Sequence, residues 1–303
     1  MGGKIMTADK KQFKSKTYYK WKERIKLIAS YAFLIAVALF ILIPFYVIFI
    51  TSFKTRVEAI SIPFTWLPRE GWHLDGYANV LLTDASGGGA GPSTILRGFR
   101  NTMIITIPAT LSGLLTSALS AYAFAKLRFR GKKVSFALLL ATMMIPGIIM
   151  LVPSYMIYDA LGLVDTFFPL IVPGMFGAAA AVFFLRQYFQ GIPDELIEAA
   201  RIDGMSEFGI FFKIMMPLSK PALLAQGILG FIGGYNDYFG PLLYLHNPKR
   251  YTLQIALAYF EGTYVFDWPT VMAGAFITLV PTIVIFLAAQ KYFVEGITMT
   301  GIK

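Results

Sequence analysis

Long apolar stretches without charged residues dominate this sequence and limit what it can fold into. A helix needs about 20 apolar residues to cross the hydrocarbon core of a bilayer. Six stretches reach that length. Five have no charged residue (27–53, 101–125, 134–158, 166–185 and 268–290), and the sixth, 221–246, contains only Asp237. We therefore predict an all-α membrane protein with six transmembrane helices. The predicted spans are 27–53, 101–125, 134–158, 166–189, 218–246 and 268–290.

The overall composition agrees with a membrane protein. Charged residues make up 15% of the 303 residues, whereas soluble domains carry about 25%, and the mean hydropathy is +0.63. The sequence has no cysteine, which excludes disulfides, thiolate metal sites and a cysteine nucleophile. The net charge of +10 does not indicate a nucleic-acid binder, because most of it flanks the apolar stretches.

The distribution of Lys and Arg predicts the orientation of the chain. Cytoplasmic segments of membrane proteins carry an excess of both residues. If the basic segment 1–26 is cytoplasmic, most of the 27 Lys and Arg fall on that side. We therefore predict that both termini are cytoplasmic. The basic segment and the apolar stretch after it are too long for a signal peptide, so the first span is expected to be retained. The predicted cytoplasmic segments are 1–26, 126–133, 191–216 and 291–303.

Two predicted extracytoplasmic segments, 54–100 and 247–267, are long enough to bind a partner. The first contains a glycine-rich piece at 87–91, which is typical of a flexible linker. In the second, the apolar run 251–260 is too short to span and is expected to lie in a loop. On the residues alone, each segment is either a simple connector or a docking surface. The core transmembrane domain is expected to cover about 97–293.

The segment between the fourth and fifth spans, 191–216, has the pattern of two short helices joined by a turn. Gly204 suits the end of the first helix, and Ser206 can cap the second. The pattern predicts a helix–turn–helix against the cytoplasmic face, with Ala199 and Ala200 exposed. An amphipathic connector that only covers the end of the bundle is the alternative. Three phenylalanines are expected on the apolar side of the second helix: Phe208, Phe211 and Phe212.

Residues of this segment resemble the EAA signature of the permease subunits of binding-protein-dependent ATP-binding-cassette (ABC) importers. The signature residues are Glu198, Ala199, Ala200, Asp203, Gly204, Ile214 and Pro217. The resemblance implies the type I ABC importer permease fold, in the bacterial plasma (inner) membrane. It also implies that the segment is a coupling helix seated in a cleft of a cytoplasmic ATPase subunit, and that the signature residues carry this coupling.

Three further segments are similar to the carbohydrate-uptake permeases of this family, and in particular to the smaller, maltose-G-like permease of a pair. They are Leu119–Phe129, Tyr235–Leu243, in which Tyr235 replaces the usual Trp, and Gln290–Thr298. The implied partners are a second permease subunit, two ATPase subunits, an extracytoplasmic binding protein and a sugar or oligosaccharide substrate. The implied role of the chain is to form the pathway by which that substrate crosses the bilayer.

The chemistry of ATP hydrolysis is expected on another chain. The sequence has no phosphate-binding P-loop, so we expect no cofactor here, with ATP and Mg²⁺ bound by the partner ATPase, and no enzyme activity. Its two histidines, His73 and His246, lack clustered carboxylates and make a poor metal site, so no metal is expected. The remaining alternatives are an ion- or proton-coupled secondary transporter and an importer permease for a solute other than a sugar.

Asp237 is a candidate functional residue, because a charged side chain inside a span is costly and often functional. It can line a pathway or be hydrogen-bonded inside the bundle, and the residues leave both open. The candidate pathway residues are Tyr235, Asn236, Asp237 and Tyr238, whose aromatic members suit sugar faces. The resemblance implies that the second outer segment reaches the binding protein. Its candidate docking residues are Asn247, Lys249, Arg250 and Tyr251.

Overall fold

The computed structural model describes residues 3–83, 93–263 and 267–298. The glycine-rich piece at 87–91 and the tail beyond residue 298 lie outside the described residues. The described regular structure is helical and contains no strand, which confirms the all-α prediction. The α-helices are α1 (Gly3–Thr51), α2 (Arg56–Ala59), α3 (Asp75–Leu82), α4 (Thr94–Lys126), α5 (Lys132–Thr142), α6 (Leu151–Ala160), α7 (Phe168–Met175), α8 (Ala179–Gln190), α9 (Asp194–Ile202), α10 (Glu207–Ile210), α11 (Met216–Leu218), α12 (Lys220–Tyr235), α13 (Phe239–Tyr244), α14 (Leu253–Thr263) and α15 (Trp268–Thr298).

Four helical stretches of the described chain are long and apolar enough to cross a membrane. They are Glu23–Thr51, Thr94–Lys126, Phe168–Gln190 and Trp268–Ala288. Two further helix pairs meet the same criteria together but are sharply bent, Lys132–Thr142 with Gly147–Ala160 by 86° and Glu207–Leu218 with Lys220–Tyr235 by 83°. The first bend precedes Pro146, whose ring disfavours helical backbone at the residue before it. The described chain therefore has four spans, or up to six if each bent pair crosses once.

The predicted fifth span is interrupted where the sequence reads Asn236-Asp237-Tyr238. Helix α12 ends at Tyr235 and α13 begins at Phe239. The carboxylate of Asp237 accepts a hydrogen bond from the backbone N–H of Gly240 at 3.2 Å, as a helix-capping side chain does. The predicted span 218–246 is therefore divided into two helices in the structure, and the Asp237 contact lies at the break.

The run 251–260 forms most of helix α14, so its prediction as a loop was wrong. Leu253, Ala256 and Phe260 are buried, and their spacing places them on one helix face. The backbone N–H of Leu253 donates to the hydroxyl of Thr102 at 2.8 Å. Burial against α4 and this external cap stabilise a helix too short to cross the bilayer.

Helix α4 connects two separate apolar clusters of the described chain. Near its C-terminal end it packs against α8 and α9 in a cluster that includes Leu185, Phe189 and Ile197. A second cluster joins α3, α12, α14 and α15 and includes Val80 and Tyr235. We call the two ends of the bundle the EAA end and the distal end, respectively. Helix α4 begins at Thr94, seven residues before the predicted span, and so takes in the last part of the segment predicted as an outer loop.

Candidate functional site

The EAA segment, residues 191–216, folds as two short helices joined by a tight turn. Helix α9 ends at Ile202, Asp203 is its C-cap residue, and the following Gly204 has a φ of +77°, which favours glycine. The N–H of Met205 donates to the carbonyl of Ala200 at 3.0 Å and closes the helix. The hydroxyl of Ser206 accepts from the N–H of Gly209 at 3.2 Å and caps α10. The predicted turn and cap are confirmed.

The second half of the EAA segment departs from the predicted apolar face. A π turn over Phe211–Met215 follows α10 and shifts the register of the side chains. Phe211 is fully buried, while Phe208 and Phe212 are exposed. The prediction that all three phenylalanines share one apolar side was therefore wrong for Phe208 and Phe212.

The two adjacent alanines of the EAA signature face opposite ways. Ala200 is 5% exposed and packs in the cluster with Ile197, so its predicted exposure was wrong. Ala199 is exposed, as predicted. The helical repeat explains the difference, since Ile197 and Ala200 are three residues apart on the inner face of α9. The outer face includes Ile202, which is 87% exposed. Of the other signature residues, Glu198, Asp203, Gly204 and Pro217 are exposed and Ile214 is half-buried.

Two polar contacts fasten the EAA segment to helix α4. The ammonium of Lys126 donates to Asp194 at 2.5 Å and to the carbonyl of Ile192 at 2.6 Å. Its hydrogen bond and charge hold the pKa of the Asp194 carboxyl below the ordinary value. Glu207 accepts from the hydroxyl of Tyr122 at 2.6 Å and from Arg201 at 2.7 Å. Sequence reasoning missed these anchoring roles because the partners lie far apart in the chain.

A cavity of about 350 Å³ lies between α4, α7, α8, α12 and α13. Its size is in the range of small-molecule sites. Gly113, Gly174, Gly177, Gly230 and Gly234 line it. At Gly113 and Gly177 an added side chain would clash with the backbone of Gly174 and with Ser117, so these two glycines let α4 pack closely against α7 and the start of α8. The polar side chains in the wall are Thr106, Thr110, Ser117, Gln226, Asp237 and Thr252, and no Lys, Arg or His is among the described lining residues.

Only one of the four candidate pathway residues lies in the cavity wall. Asp237 lines the cavity and is exposed, as the pathway interpretation requires. Tyr235 is 1% exposed and donates to the carbonyl of Thr278 at 2.9 Å, so the structure contradicts its placement in a pathway. A turn of 100° per residue along α12 points it toward α15. Asn236 donates to the carbonyl of Ile232 at 3.0 Å, and Tyr238 is exposed but does not line the cavity.

The candidate docking residues 247–251 form a tightly held turn at the distal end. The carboxylate of Asp165 accepts from the backbone N–H groups of His246 and Asn247 at 3.0 Å each and pairs with Arg250 at 2.7 Å. Partial burial raises the pKa of Asp165, but these hydrogen bonds and the Arg250 charge outweigh it, so the pKa is lowered. The sequence alone did not indicate Asp165.

Helix α4 holds the same turn from the other side. The side-chain amide of Asn101 donates to the carbonyls of Lys249 and Tyr251 at 3.0 Å each. The side chains of Asn247 and Lys249 are exposed, while their backbone is fixed. Three of the four candidate docking residues, Asn247, Lys249 and Arg250, are therefore exposed on a held turn, and Tyr251 is half-buried.

Comparison of this chain with known proteins identifies its family. The family described as binding-protein-dependent transport system inner membrane component matches residues 94–298. The chain is 34% identical over 281 residues to the arabinooligosaccharides transport system permease protein AraQ of Bacillus subtilis (strain 168), which covers 91% of this chain and 95% of that protein. It is also 34% identical over 274 residues to the sn-glycerol-3-phosphate transport system permease protein UgpE of Escherichia coli O1:K1 / APEC, covering 89% of this chain and 95% of that protein.

A solved structure shares the fold. One chain from the crystal structure of a bacterial ABC transporter involved in the import of the acidic polysaccharide alginate is similar with a TM-score of 0.76 and 26% identity, covering 90% of this chain and 98% of that chain. The family match extends from the start of α4 to the end of α15, so it includes the EAA segment, the cavity and the distal turn. The chain therefore belongs to the binding-protein-dependent transport system inner membrane components, the permease subunits of ABC importers.

Proposed function

We propose that this chain is a permease subunit that imports a sugar or oligosaccharide, powered by ATP hydrolysis on a separate subunit. The observation that carries the proposal is the EAA segment, a folded unit held by Lys126 and Tyr122 that exposes the large apolar side chains of Ile202 and Phe208. Exposed apolar groups of this size at the end of a bundle suit a protein partner. The relative named for arabinooligosaccharides supports a sugar substrate.

The proposed topology has six spans and both termini in the cytoplasm. The excess of Lys and Arg at the EAA end supports this orientation. In this arrangement Lys132–Thr142 and Gly147–Ala160 together form the third span, the fifth span begins near Lys220, and Glu207–Met216 remains part of the EAA segment. The EAA segment then faces the cytoplasm, and the turn 247–251 faces the extracytoplasmic side.

The proposed coupling surface is the outer face of the EAA segment. Two ATPase subunits, which bind ATP and Mg²⁺, supply the force, and one of them receives α9 in a cleft. Glu198, Ala199 and Asp203 are exposed for contact. Ala200 acts from the inner face, where its small side chain lets α9 approach the cluster around Ile197. The other proposed coupling residues are Gly204, Ile214 and Pro217.

The proposed translocation pathway includes the glycine-lined cavity and is completed by a second permease subunit. The Asp237 carboxylate can accept hydrogen bonds from sugar hydroxyls, and the Gln226 amide can both donate and accept them. A wall without basic side chains suits an uncharged solute. The substrate thus binds this chain between α4 and α12. An extracytoplasmic binding protein delivers the substrate to the turn 247–251.

Uptake by a reconstituted transporter tests the proposal. The complete assembly is placed in proteoliposomes with its binding protein, and accumulation of labelled arabinooligosaccharide and sn-glycerol-3-phosphate is measured. Sugar accumulation that needs ATP and the binding protein is the expected result. Uptake driven by an ion or proton gradient without ATP would indicate a secondary transporter, and ATP-driven uptake of the phosphate ester alone would refute the sugar assignment.

A further inference from the structure

The segment that follows α1, residues 54–74, buries two of its charged side chains. Lys54 is 2% exposed and Glu58 is 6% exposed. The ammonium of Lys54 donates to the carbonyl of Thr65 at 2.5 Å and lies 3.8 Å from the ring centroid of Phe64. The carboxylate of Glu58 accepts from the hydroxyl of Thr65 and the N–H of Arg69 at 2.8 Å each. We call residues 54–74 the post-α1 segment.

The outer surface of the post-α1 segment is apolar and aromatic. Its exposed side chains include Ile60, Ile62, Trp66, Leu67, Trp72 and Leu74, and Ile62 is 96% exposed. Exposed apolar surface costs about 25 cal/mol per Å² in water. Two buried charges beneath large exposed apolar side chains are unusual for a segment that faces water, which favours a covering other than water.

The apolar face continues the surface of the first span. The rings of Tyr46 and Trp66 stack with centroids 6.2 Å apart and an angle of 28°, and the Tyr46 hydroxyl donates to the carbonyl of Trp66. Tyr46 precedes Thr51, the end of α1, by five residues, or about 7.5 Å along the helix axis. The chain therefore leaves α1 and folds back beside its last turns, next to exposed apolar residues such as Leu42 and Phe45.

The geometry points to the post-α1 segment as an interfacial element that lies on the bilayer at the C-terminal end of α1, with lipid as its partner. Trp and Tyr are enriched at the headgroup level, where one side of the ring is apolar and the other wet. The exposed side chains of Arg56, Arg69 and Glu70 lie in the same segment and suit contact with headgroups. Lipid also needs no matching shape, which fits an apolar face spread over an irregular loop.

Accessibility of a spin label to oxygen and to a nickel chelate tests this placement. The chain has no cysteine, so single variants Ile62→Cys and Leu67→Cys carry one nitroxide each. Arg69→Cys, in the same segment, is the matched control. Each variant is assembled with its partner subunits, whose own cysteines are replaced, and reconstituted in phosphatidylcholine vesicles. Retained substrate uptake verifies that the labelled assembly is intact.

Oxygen concentrates in lipid and the nickel chelate stays in water. The accessibilities of the spin label to the two reagents therefore show whether lipid, water or a partner subunit covers the face. We expect the ratio of oxygen to nickel accessibility to be several-fold higher at Ile62 and Leu67 than at Arg69. A nickel-accessible label at Ile62 would mean that water covers the face. Low accessibility to both reagents in the assembly would mean that a partner subunit covers it. Either result would overturn the lipid assignment without affecting the assignment of the chain as an importer permease.

Discussion

The ammonium of Lys126 lies 2.5 Å from the carboxylate of Asp194 and joins the last residue of α4 to the first residue of α9. The same helix lines the cavity through Thr106 and Gly113 and holds the distal turn through Asn101. From Asn101 to Lys126 the helix is about 37 Å long. The EAA segment, the cavity and the distal turn are therefore connected by one continuous helix, which also contains Pro108.

Replacing Lys126 with Met should uncouple the EAA segment from α4. The variant keeps the length of the side chain but loses the bonds to Asp194 and Ile192. We expect normal membrane insertion, several-fold lower uptake, and less ATPase retained during purification in detergent. Lys133→Met is the matched control, because Lys133 is exposed at the same end of the bundle. Equal uptake by the two variants would show that the Lys126 contact does not transmit force.

Gly204 should tolerate Asn but not Val. Its φ of +77° costs an L-residue about 1–2 kcal/mol, and Asn visits this region more readily than β-branched residues do. No atom would clash with a side-chain carbon at this position, so the effect comes from the backbone alone. We expect Gly204→Val to lose the ATPase on co-purification and Gly204→Asn to retain most of it. Full retention by Gly204→Val would refute a fixed turn at the coupling surface.

Filling the cavity should stop transport without disturbing assembly. Gly230 lines the cavity, and a larger side chain there would enter the space. A methyl group at Gly233 would meet open space, so Gly233→Leu is the matched control. We expect Gly230→Leu to abolish uptake while binding the ATPase normally, and Gly233→Leu to keep uptake. Normal uptake by Gly230→Leu would place the pathway elsewhere.

Substitution of Asp237 should affect transport, whereas substitution of Tyr235 should affect stability. Asp237→Asn keeps an oxygen for the Gly240 N–H but removes the charge, so we expect lower uptake at an unchanged melting temperature. Tyr235→Phe loses the bond to Thr278, which should lower the free energy of unfolding by about 1 kcal/mol with unchanged apparent KM. Thermal unfolding in detergent and uptake kinetics measure both. Normal uptake with a lower melting temperature in Asp237→Asn would instead indicate a packing role for Asp237.

Asp165→Asn should loosen the distal turn and weaken stimulation of the ATPase by the binding protein. Because the pKa of Asp165 is lowered in the folded chain, its ionised form stabilises the fold at neutral pH. That contribution is lost as the pH falls below about 4, the ordinary value for Asp. We therefore expect the difference in melting temperature between wild type and variant to be constant from pH 7 to about 5 and to shrink at lower pH. If the binding protein stimulates the ATPase of the Asp165→Asn variant as strongly as that of the wild type, this turn does not take part in docking.

The sequence alone determined the features that depend on local pattern and composition. Charge-free stretches of bilayer length required helices, since every backbone polar group must be paired in lipid. The turn at Gly204 and the cap at Ser206 follow from backbone preferences of single residues. The signature around Glu198 indicated the family, which the match over residues 94–298 confirms.

The tertiary structure decided which side each of these residues faces and what holds it there. Ala200 is buried and Ala199 exposed because α9 lies on the cluster around Ile197, and Tyr235 is buried because α12 lies on α15. The anchor between Lys126 and Asp194 joins residues far apart in the chain. Local periodicity cannot specify such contacts, because side-chain spacing defines the faces of a helix but not the neighbours that pack against them.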